Sequence, residues 1–408
     1  MRILFLTDNF PPESNAPATR TYEHTREWVK LGHEVTVVTC APNFPEGVLF
    51  AGYKNRWHQR EVIDGINVVR VKTYITANEG FSRRVLDYLS FGVMGCVAGL
   101  FQKRPDVIVS TSPQFFCACG AWVLSVLRWT PWVFELRDIW PASITAVSAM
   151  KSSLVIRLLE KIEMFLYRRA DRIVAVTHSF KTELIARGLD GEKIDVVING
   201  VDLSKYSPGK SQNSELAHQH DLTDKFVVGY IGTHGMAHAL DKVLDAAERL
   251  KSNDSVRFLF VGGGAERANL ERLALDRGLS NVVMMPRQPK EAMPSVWSLC
   301  DISLVSLRNT PLFTKVIPSK IFESMGMGLP MIIACPRGEA TEIIEGTSSG
   351  VVVEPEKPEA LADCVTTLYT DRARLAALAN ASGVSAAMFG RAAQAKLMLQ
   401  SLKSAAHC

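Results

Sequence analysis

The sequence predicts an α/β protein: two Rossmann-like, doubly wound parallel-sheet domains that face one another across a cleft. Three observations carry that expectation. Short apolar runs alternate with helical stretches from end to end, the rhythm of strand-helix-strand units. A length of 408 residues fits two domains better than one oversized core. A polar stretch at 204–224, holding Pro208, Gly209 and a Ser-Gln-Asn-Ser run, separates two series of strands. The expected domains are residues 1–203 and 225–384, with a linker at 204–224 and a C-terminal helix at 385–408 able to cross back to the first domain.

The first series opens with the apolar run Ile3–Leu6, a polar loop from Asp8 to Arg20 and a helix ending near Leu31-Gly32. Gly32 reads as a helix C-cap, followed directly by the buried strand Val35–Thr39. Further strands are expected at Asn67–Val71, Val107–Ser110, Trp132–Leu136, Arg172–Val176 and Asp195–Ile198. The second series comprises Phe226–Ile231, Arg257–Val261, Val282–Met285, Ile302–Val305, Met331–Ala334 and Gly350–Val353, with helices such as Leu240–Lys251 and Arg267–Asp276 between them.

Composition narrows the class. With 47% hydrophobic and 22% charged residues, the chain is neither disordered nor fibrous. Eight scattered cysteines, only Cys117 and Cys119 close together, argue against a disulfide framework or a zinc site and fit a reducing cytoplasm. The apolar run after Met1-Arg2 is too short for a secretory signal. The most membrane-like stretch, Leu89–Phe101, falls short of the roughly twenty residues a spanning helix needs.

The net charge of +4 lies wholly in the first half: 25 basic against 21 acidic residues up to Lys205, and 21 of each beyond it. Phe81–Arg172 alone holds 12 basic and 7 acidic residues. Such a surface is either an ordinary solvated face or one that meets anionic lipid or a phosphorylated substrate. No motif that reads nucleic acid accompanies it, so nucleic acid is not an expected partner.

Ligands of open parallel sheets bind beyond the carboxyl ends of the strands, and the loops there carry the chemistry. Gly232-Thr233-His234-Gly235 follows one strand and precedes a helix, the arrangement that lets free N–H groups approach a phosphate. Gly262-Gly263-Gly264 follows the next strand. Neither turn has the dinucleotide spacing G-x-G-x-x-G, and the first strand ends in Thr7-Asp8-Asn9, so NAD and FAD are disfavoured. In Pro318-Ser319-Lys320-Ile321-Phe322-Glu323, a lysine at a helix start is suited to a diphosphate and a glutamate one turn on to a ribose diol. The same pair also suits a plain solvated helix face.

Leu259–Gly264, Pro318–Glu323 and Gly328-Leu329-Pro330 together resemble the C-terminal domain of family 4 glycosyltransferases, and Ile198-Asn199-Gly200-Val201-Asp202 resembles their hinge. Phe10-Pro11-Pro12-Glu13, Glu135-Leu136-Arg137-Asp138-Ile139-Trp140-Pro141 and Val176-Thr177-His178-Ser179 are similar to the branch that builds bacterial O-antigen, capsule and colanic acid, including the L-fucosamine transferases. The resemblance implies the GT-B fold, retention of anomeric configuration and no need for a metal or other cofactor. It places the donor site on Gly232, Thr233, His234, Gly235, Gly263, Ser319, Lys320 and Glu323, and catalysis on Arg137, Asp138 and His178. Three departures stand out. Lys315 occupies the position of the first of two family glutamates. Asn15-Ala16, shortly after Pro12, replace the Gly-Gly of the N-terminal phosphate loop. The Lys-Gly usually found beyond the Gly232 turn is missing, with His238-Ala239-Leu240 in that region.

On residue chemistry, Asp138 either orients an acceptor hydroxyl or caps the next helix, and His178 and Ser179 are candidate caps as well. His234 is placed to donate to a phosphate. Trp122, Trp129, Trp132 and Trp140 read as core rather than as a sugar platform. Lys151–Arg169 is an amphipathic basic helix, suited equally to packing on the sheet and to a membrane interface. The expected function is transfer of a sugar, N-acetyl-L-fucosamine among the candidates, from a UDP-sugar donor to a polyprenyl-diphosphate-linked saccharide. The enzyme is expected in the cytoplasm, peripheral on an anionic membrane surface. A UDP-sugar epimerase of the same architecture and a non-catalytic scaffold are the alternatives.

Overall fold

The computed structural model describes residues 1–13, 15–44, 46–76, 81–112, 114–139, 154–208 and 213–407. Trp140, Pro141, Lys151 and residues 209–212 of the expected linker lie outside them. The chain divides into two units, one of Met1–Ile198 with Arg391–Cys408 and one of Asn199–Gly390.

In the first unit, eight strands form one sheet: β1 (Arg2–Leu6), β2 (Glu34–Cys40), β3 (His58–Ile63), β4 (Ile66–Val71), β5 (Val107–Thr111), β6 (Trp132–Leu136), β7 (Arg172–Ala175) and β8 (Ile194–Val196). Their order is β3-β4-β2-β1-β5-β6-β7-β8, and every pairing is parallel except β3 with β4. All five residues of β5 and of β6 are buried, as strands covered on both faces must be. The edge strand β3 is absent from the sequence expectation. Its half-exposed His-Gln-Arg-Glu-Val-Ile has no apolar run, and it is held by a two-residue Asp64-Gly65 turn with both φ angles positive.

The helices of this unit are α1 (Ala16–Lys30), α2 (Phe81–Leu100), α3 (Phe115–Arg128), α4 (Leu154–Arg169) and α5 (His178–Ala186). Asn15 caps α1 by accepting from the Ala18 N–H at 2.9 Å. Helices α2 and α3 touch backbone to backbone. A Cβ at Gly92 would lie 2.4 Å from the Phe116 carbonyl oxygen, and one at Gly120 would lie 2.3 Å from that of Gly92. A sixteen-residue C-terminal helix, Arg391–Ala406, also belongs to this unit and packs on α1, with Trp28 Nε1 donating to the Ala395 carbonyl at 2.8 Å.

The second unit has six parallel strands, β9 (Phe226–Ile231), β10 (Val256–Val261), β11 (Val282–Met285), β12 (Ile302–Ser306), β13 (Met331–Ala334) and β14 (Gly350–Val353), in the order β11-β10-β9-β12-β13-β14. Its helices, in chain order, are α6 (Ser214–Gln219), α7 (Leu240–Arg249), α8 (Arg267–Asp276), α9 (Met293–Trp297), α10 (Lys320–Gly326), α11 (Glu339–Thr347), α12 (Pro358–Thr370) and α13 (Arg372–Ser385); the C-terminal helix Arg391–Ala406 is α14.

The expected linker at 204–224 is corrected by the structure. The chain passes between units at 198/199 and 390/391, and 204–224 lies inside the second unit, where Ser214–Gln219 is helical. Tyr206 is buried and Val201 bridges to Gly390, so this segment is packed despite its polar composition. In each sheet the chain reverses direction of strand addition once, between β1 and β5 and between β9 and β12. Those switch points are where the crevices of doubly wound sheets lie.

Candidate active site

At the second unit's switch point two glycine turns lie back to back. The Gly232 N–H donates to Val261, and the His234 N–H donates to the Gly263 carbonyl at 2.8 Å. Gly262 has φ +146°, and a Cβ there would fall 1.9 Å from the Gly232 carbonyl oxygen, so only glycine permits this approach. Beyond Gly235 the chain makes a short 3-10 turn, Met236–His238, before α7 begins.

Lys320, the first residue of α10, points into this turn. Its half-buried side chain ends in an ammonium nitrogen that is buried without a hydrogen-bond partner. That nitrogen sits 3.5 Å above the centre of the Tyr230 ring, and a Cβ at Gly232 would lie 3.0 Å from it. Burial pulls its pKa down to about 7, against the opposing pull of Cys335 and Glu323. An ammonium kept dry beside a glycine turn is poised for an anion. Glu323, one turn further, accepts from Trp297 Nε1 at 3.3 Å.

The remaining donor-site candidates divide. Gly263 is open, with nothing within 4 Å of an added Cβ, and Ser319 is exposed beside Lys320. Lys315 is exposed on the short turn Pro311–Lys315. The His234 side chain is fully buried between the rings of Tyr230 and Phe260, with neither ring nitrogen hydrogen-bonded. Burial foremost, then Arg267 and Lys320, bring its pKa down to about 4, which keeps the ring neutral. Its backbone ties the two turns together.

In the first unit, Arg137 and Asp138 follow β6. Their N–H groups donate to Ser112 Oγ at 2.7 and 3.1 Å, which holds the loop beside the end of β5. The Arg137 guanidinium is buried with Nη1 unpartnered, and burial takes its pKa down to about 10. Beneath it lies an ion pair not singled out from the sequence. Arg20 Nε meets Glu135 Oε1 at 2.7 Å, both side chains 1% exposed, and the same guanidinium donates to the carbonyls of Val197 and Ile198. Burial pushes the Glu135 carboxyl up, but Arg20 and Arg137 outweigh it and hold it low. Glu23, one turn along α1, takes Arg391 at 2.6 Å. Helix α1 thus fastens both places where the chain leaves and re-enters this unit. The available signal was Glu135 itself, a carboxylate inside an otherwise apolar strand, which demands a buried cation.

Pro12, Asn15 and Ala16 lie after β1 at this unit's switch point, with Asn15 and Ala16 opening α1. Two carboxyls there, to which the sequence assigned no site role, are Asp8 and Glu13. Asp8 is held well above the usual range by burial, then by Glu13 and Asp87, and Glu13 accepts from the N–H groups of Asn43 and Phe44. His178 is exposed at the start of α5; the cap of that helix is Thr177, which accepts from the Phe180 N–H at 3.1 Å. The expectation that His178 or Ser179 caps it is therefore corrected. Trp132 is in the core, whereas Trp129 is exposed, against expectation, at the C-terminal end of α3.

Two parallel-sheet α/β units, one with a polar loop and the other with glycine turns at its switch point, have the architecture of the GT-B class. Family models agree: a glycosyl transferase 4-like domain matches residues 15–200, and glycosyl transferases group 1 matches residues 193–383. The chain belongs to the family 4 glycosyltransferases. It is 27% identical to WcaI of Escherichia coli (strain K12), a glycosyl transferase named for colanic acid biosynthesis, over 88% of this chain and 90% of that one. It is 25% identical to the glycosyltransferase WbjE of Pseudomonas aeruginosa over 64% of this chain and 65% of that one. Among solved structures, Anabaena Alr3699/HepE in complex with UDP superposes with a TM-score of 0.70 at 19% identity, covering 99% of this chain and 100% of that one. WaaG, a glycosyltransferase involved in lipopolysaccharide biosynthesis, does so at 0.67 and 14% identity, covering 99% and 98%.

Proposed function

We propose that this glycosyltransferase moves a sugar, with retention, from a UDP-activated donor to a hydroxyl of a polyprenyl-diphosphate-linked saccharide. The observation that carries the donor half is Lys320: a buried, unpartnered ammonium against the Gly232 turn. The UDP held by the structural relative HepE supports the choice of nucleotide. In this reading Lys320 and the Gly232–Gly235 turn hold the diphosphate, with Gly263 and Ser319 beside it. Protonated as the diphosphate binds, Lys320 stabilises the leaving UDP as the glycosidic bond breaks, so no metal is required. Lys315 stands at the edge of the same site.

Glu323 takes the ribose diol. Removing that charge-assisted hydrogen bond costs about 1.5–3 kcal/mol, so Glu323→Ala is expected to weaken UDP binding roughly tenfold or more. Unchanged affinity by calorimetry in a folded variant would remove Glu323 from the site. On the acceptor side, Asp138 orients or deprotonates the attacking hydroxyl, Arg137 supplies positive charge, and His178 and the Pro12–Ala16 loop line the approach.

A polyprenyl acceptor cannot leave the bilayer, which places the enzyme at the inner face of the cytoplasmic membrane. N-acetyl-L-fucosamine is the first donor sugar to test. Incubation with a panel of UDP-sugars tests the whole reading. Acceptor-dependent release of UDP is expected, whereas donor isomerisation without acceptor would make the chain an epimerase. Failure to bind any nucleotide would leave a scaffold.

A further inference from the structure

Helices of a protein surface normally turn polar residues outward, and α2 and α3 do the reverse. Between residues 85 and 100, the exposed positions of α2 are Leu86, Leu89, Val93 and Val97, successive turns of one stripe, continued past the helix end by Phe101 at 78% exposure. On α3 the exposed positions after residue 120 are Val123, Val126 and Leu127, followed by Trp129 at 87%. The helices pack side by side through Gly92 and Gly120, and Arg128 joins their ends by donating to the carbonyls of Leu100 and Gln102, both at 2.8 Å. Their apolar stripes therefore form one continuous face, larger than the scattered single exposures of an ordinary surface. No helix among the described residues is long and apolar enough to cross a membrane.

We infer that this face is immersed in the interfacial layer of an anionic bilayer, with the axes of α2 and α3 along the membrane surface. The inference deepens the membrane part of the reading above: it names the surface and makes its driving force apolar burial in place of charge alone. Charge complementarity selects the occupant. Lys103 and Arg104 are exposed at the end of α2, and Arg157, Lys161 and Arg168 are exposed on α4, which packs against α3. An anionic headgroup layer meets that cationic rim favourably, whereas a second copy of the chain would bring an equally cationic rim against it. Trp129 and Phe101, at the joined ends of the two helices, match the aromatic anchoring usual where apolar protein meets headgroups.

The test is flotation of the full chain with phosphatidylethanolamine–phosphatidylglycerol vesicles and with phosphatidylcholine vesicles, at about 0.05 M and about 0.5 M salt. The wild type is expected to bind the anionic vesicles at both salts, more tightly at the lower. Val93→Glu combined with Val126→Glu should lower the bound-to-free ratio at least tenfold at both salts. Lys103→Glu with Arg104→Glu should weaken only the low-salt binding. Leu275→Glu, exposed on α8 of the second unit, should change nothing. UDP affinity, measured on every variant, should stay at the wild-type value, which separates this test from that of the donor site. Wild-type binding retained by the Val93/Val126 variant, or no vesicle binding by the wild type, overturns the inference. So does a wild-type dimer in light scattering that the double glutamate variant splits without any vesicle binding, since the face would then belong to a second copy.

Discussion

Lys320→Met should raise the melting temperature of the protein while removing most of its affinity for UDP. The two effects have one cause. The folded chain buries the lysine nitrogen with no hydrogen-bond partner and depresses its pKa from 10.5 to about 7. An apolar side chain of similar length ends that penalty, worth on the order of 1–3 kcal/mol for a buried unsatisfied group. The same change deletes the charge that meets the diphosphate, so binding should fall by about 10- to 150-fold. Because the unfolded chain keeps the proton up to its higher pKa, stability due to this group rises with pH between about 7 and 10.5 and is lowest below 7. UDP binding should reverse the depression and draw in a proton near pH 8. Calorimetry in two buffers of different ionisation heat reads that uptake directly, and in Lys320→Met it should vanish. A variant that melts higher yet binds UDP as the wild type does would make Lys320 a packing residue.

Arg20→Met should be the most destabilising single change among the residues described above. It takes from buried Glu135 its ion-pair partner, leaving the charge of Arg137 alone to offset burial, and it strips the donors from Val197 and Ile198 where the chain leaves the first unit. Breaking a buried pair from one side costs about 3–5 kcal/mol. The first unit should accordingly melt roughly 10 °C lower by calorimetry. Adding Glu135→Leu should recover much of the loss, since replacing both partners by apolar groups removes the orphaned charge. The pair also has a pH signature. With the Glu135 carboxyl held low, its stabilisation is present above the ordinary glutamate pKa and is lost as pH falls through the lower folded value. A melting temperature for Arg20→Met within a degree or two of wild type would refute this account of the ion pair.

The strands were legible because interior strands of a parallel sheet are covered on both faces and write themselves as uninterrupted apolar runs, as in Val107–Thr111 and Phe226–Ile231. What lay outside that rule was not. Strand β3 is a polar edge, visible only through its Asp64-Gly65 turn. The crossing between units went unseen because polar composition marks a surface loop, not the boundary of a packed unit, and Tyr206 anchors that loop in the second. The glycine turns and Lys320 could be read, since spacing and residue type suffice for them. The burial of His234 could not, because whether a loop histidine faces out or in depends on the neighbouring Tyr230 and Phe260. Likewise Leu89–Phe101 is visibly apolar as a string, yet which of its residues face outward follows only from the close packing of α2 on α3 through two glycines.

Sugar transfer itself is tested by incubating the protein with a UDP-sugar and a polyprenyl-diphosphate-linked saccharide and reading the products by NMR. The expected result is one new glycosidic bond bearing the donor's anomeric configuration, with UDP released in equal amount and only when acceptor is present. Inversion at the anomeric carbon, or an isomerised donor formed without acceptor, would contradict it.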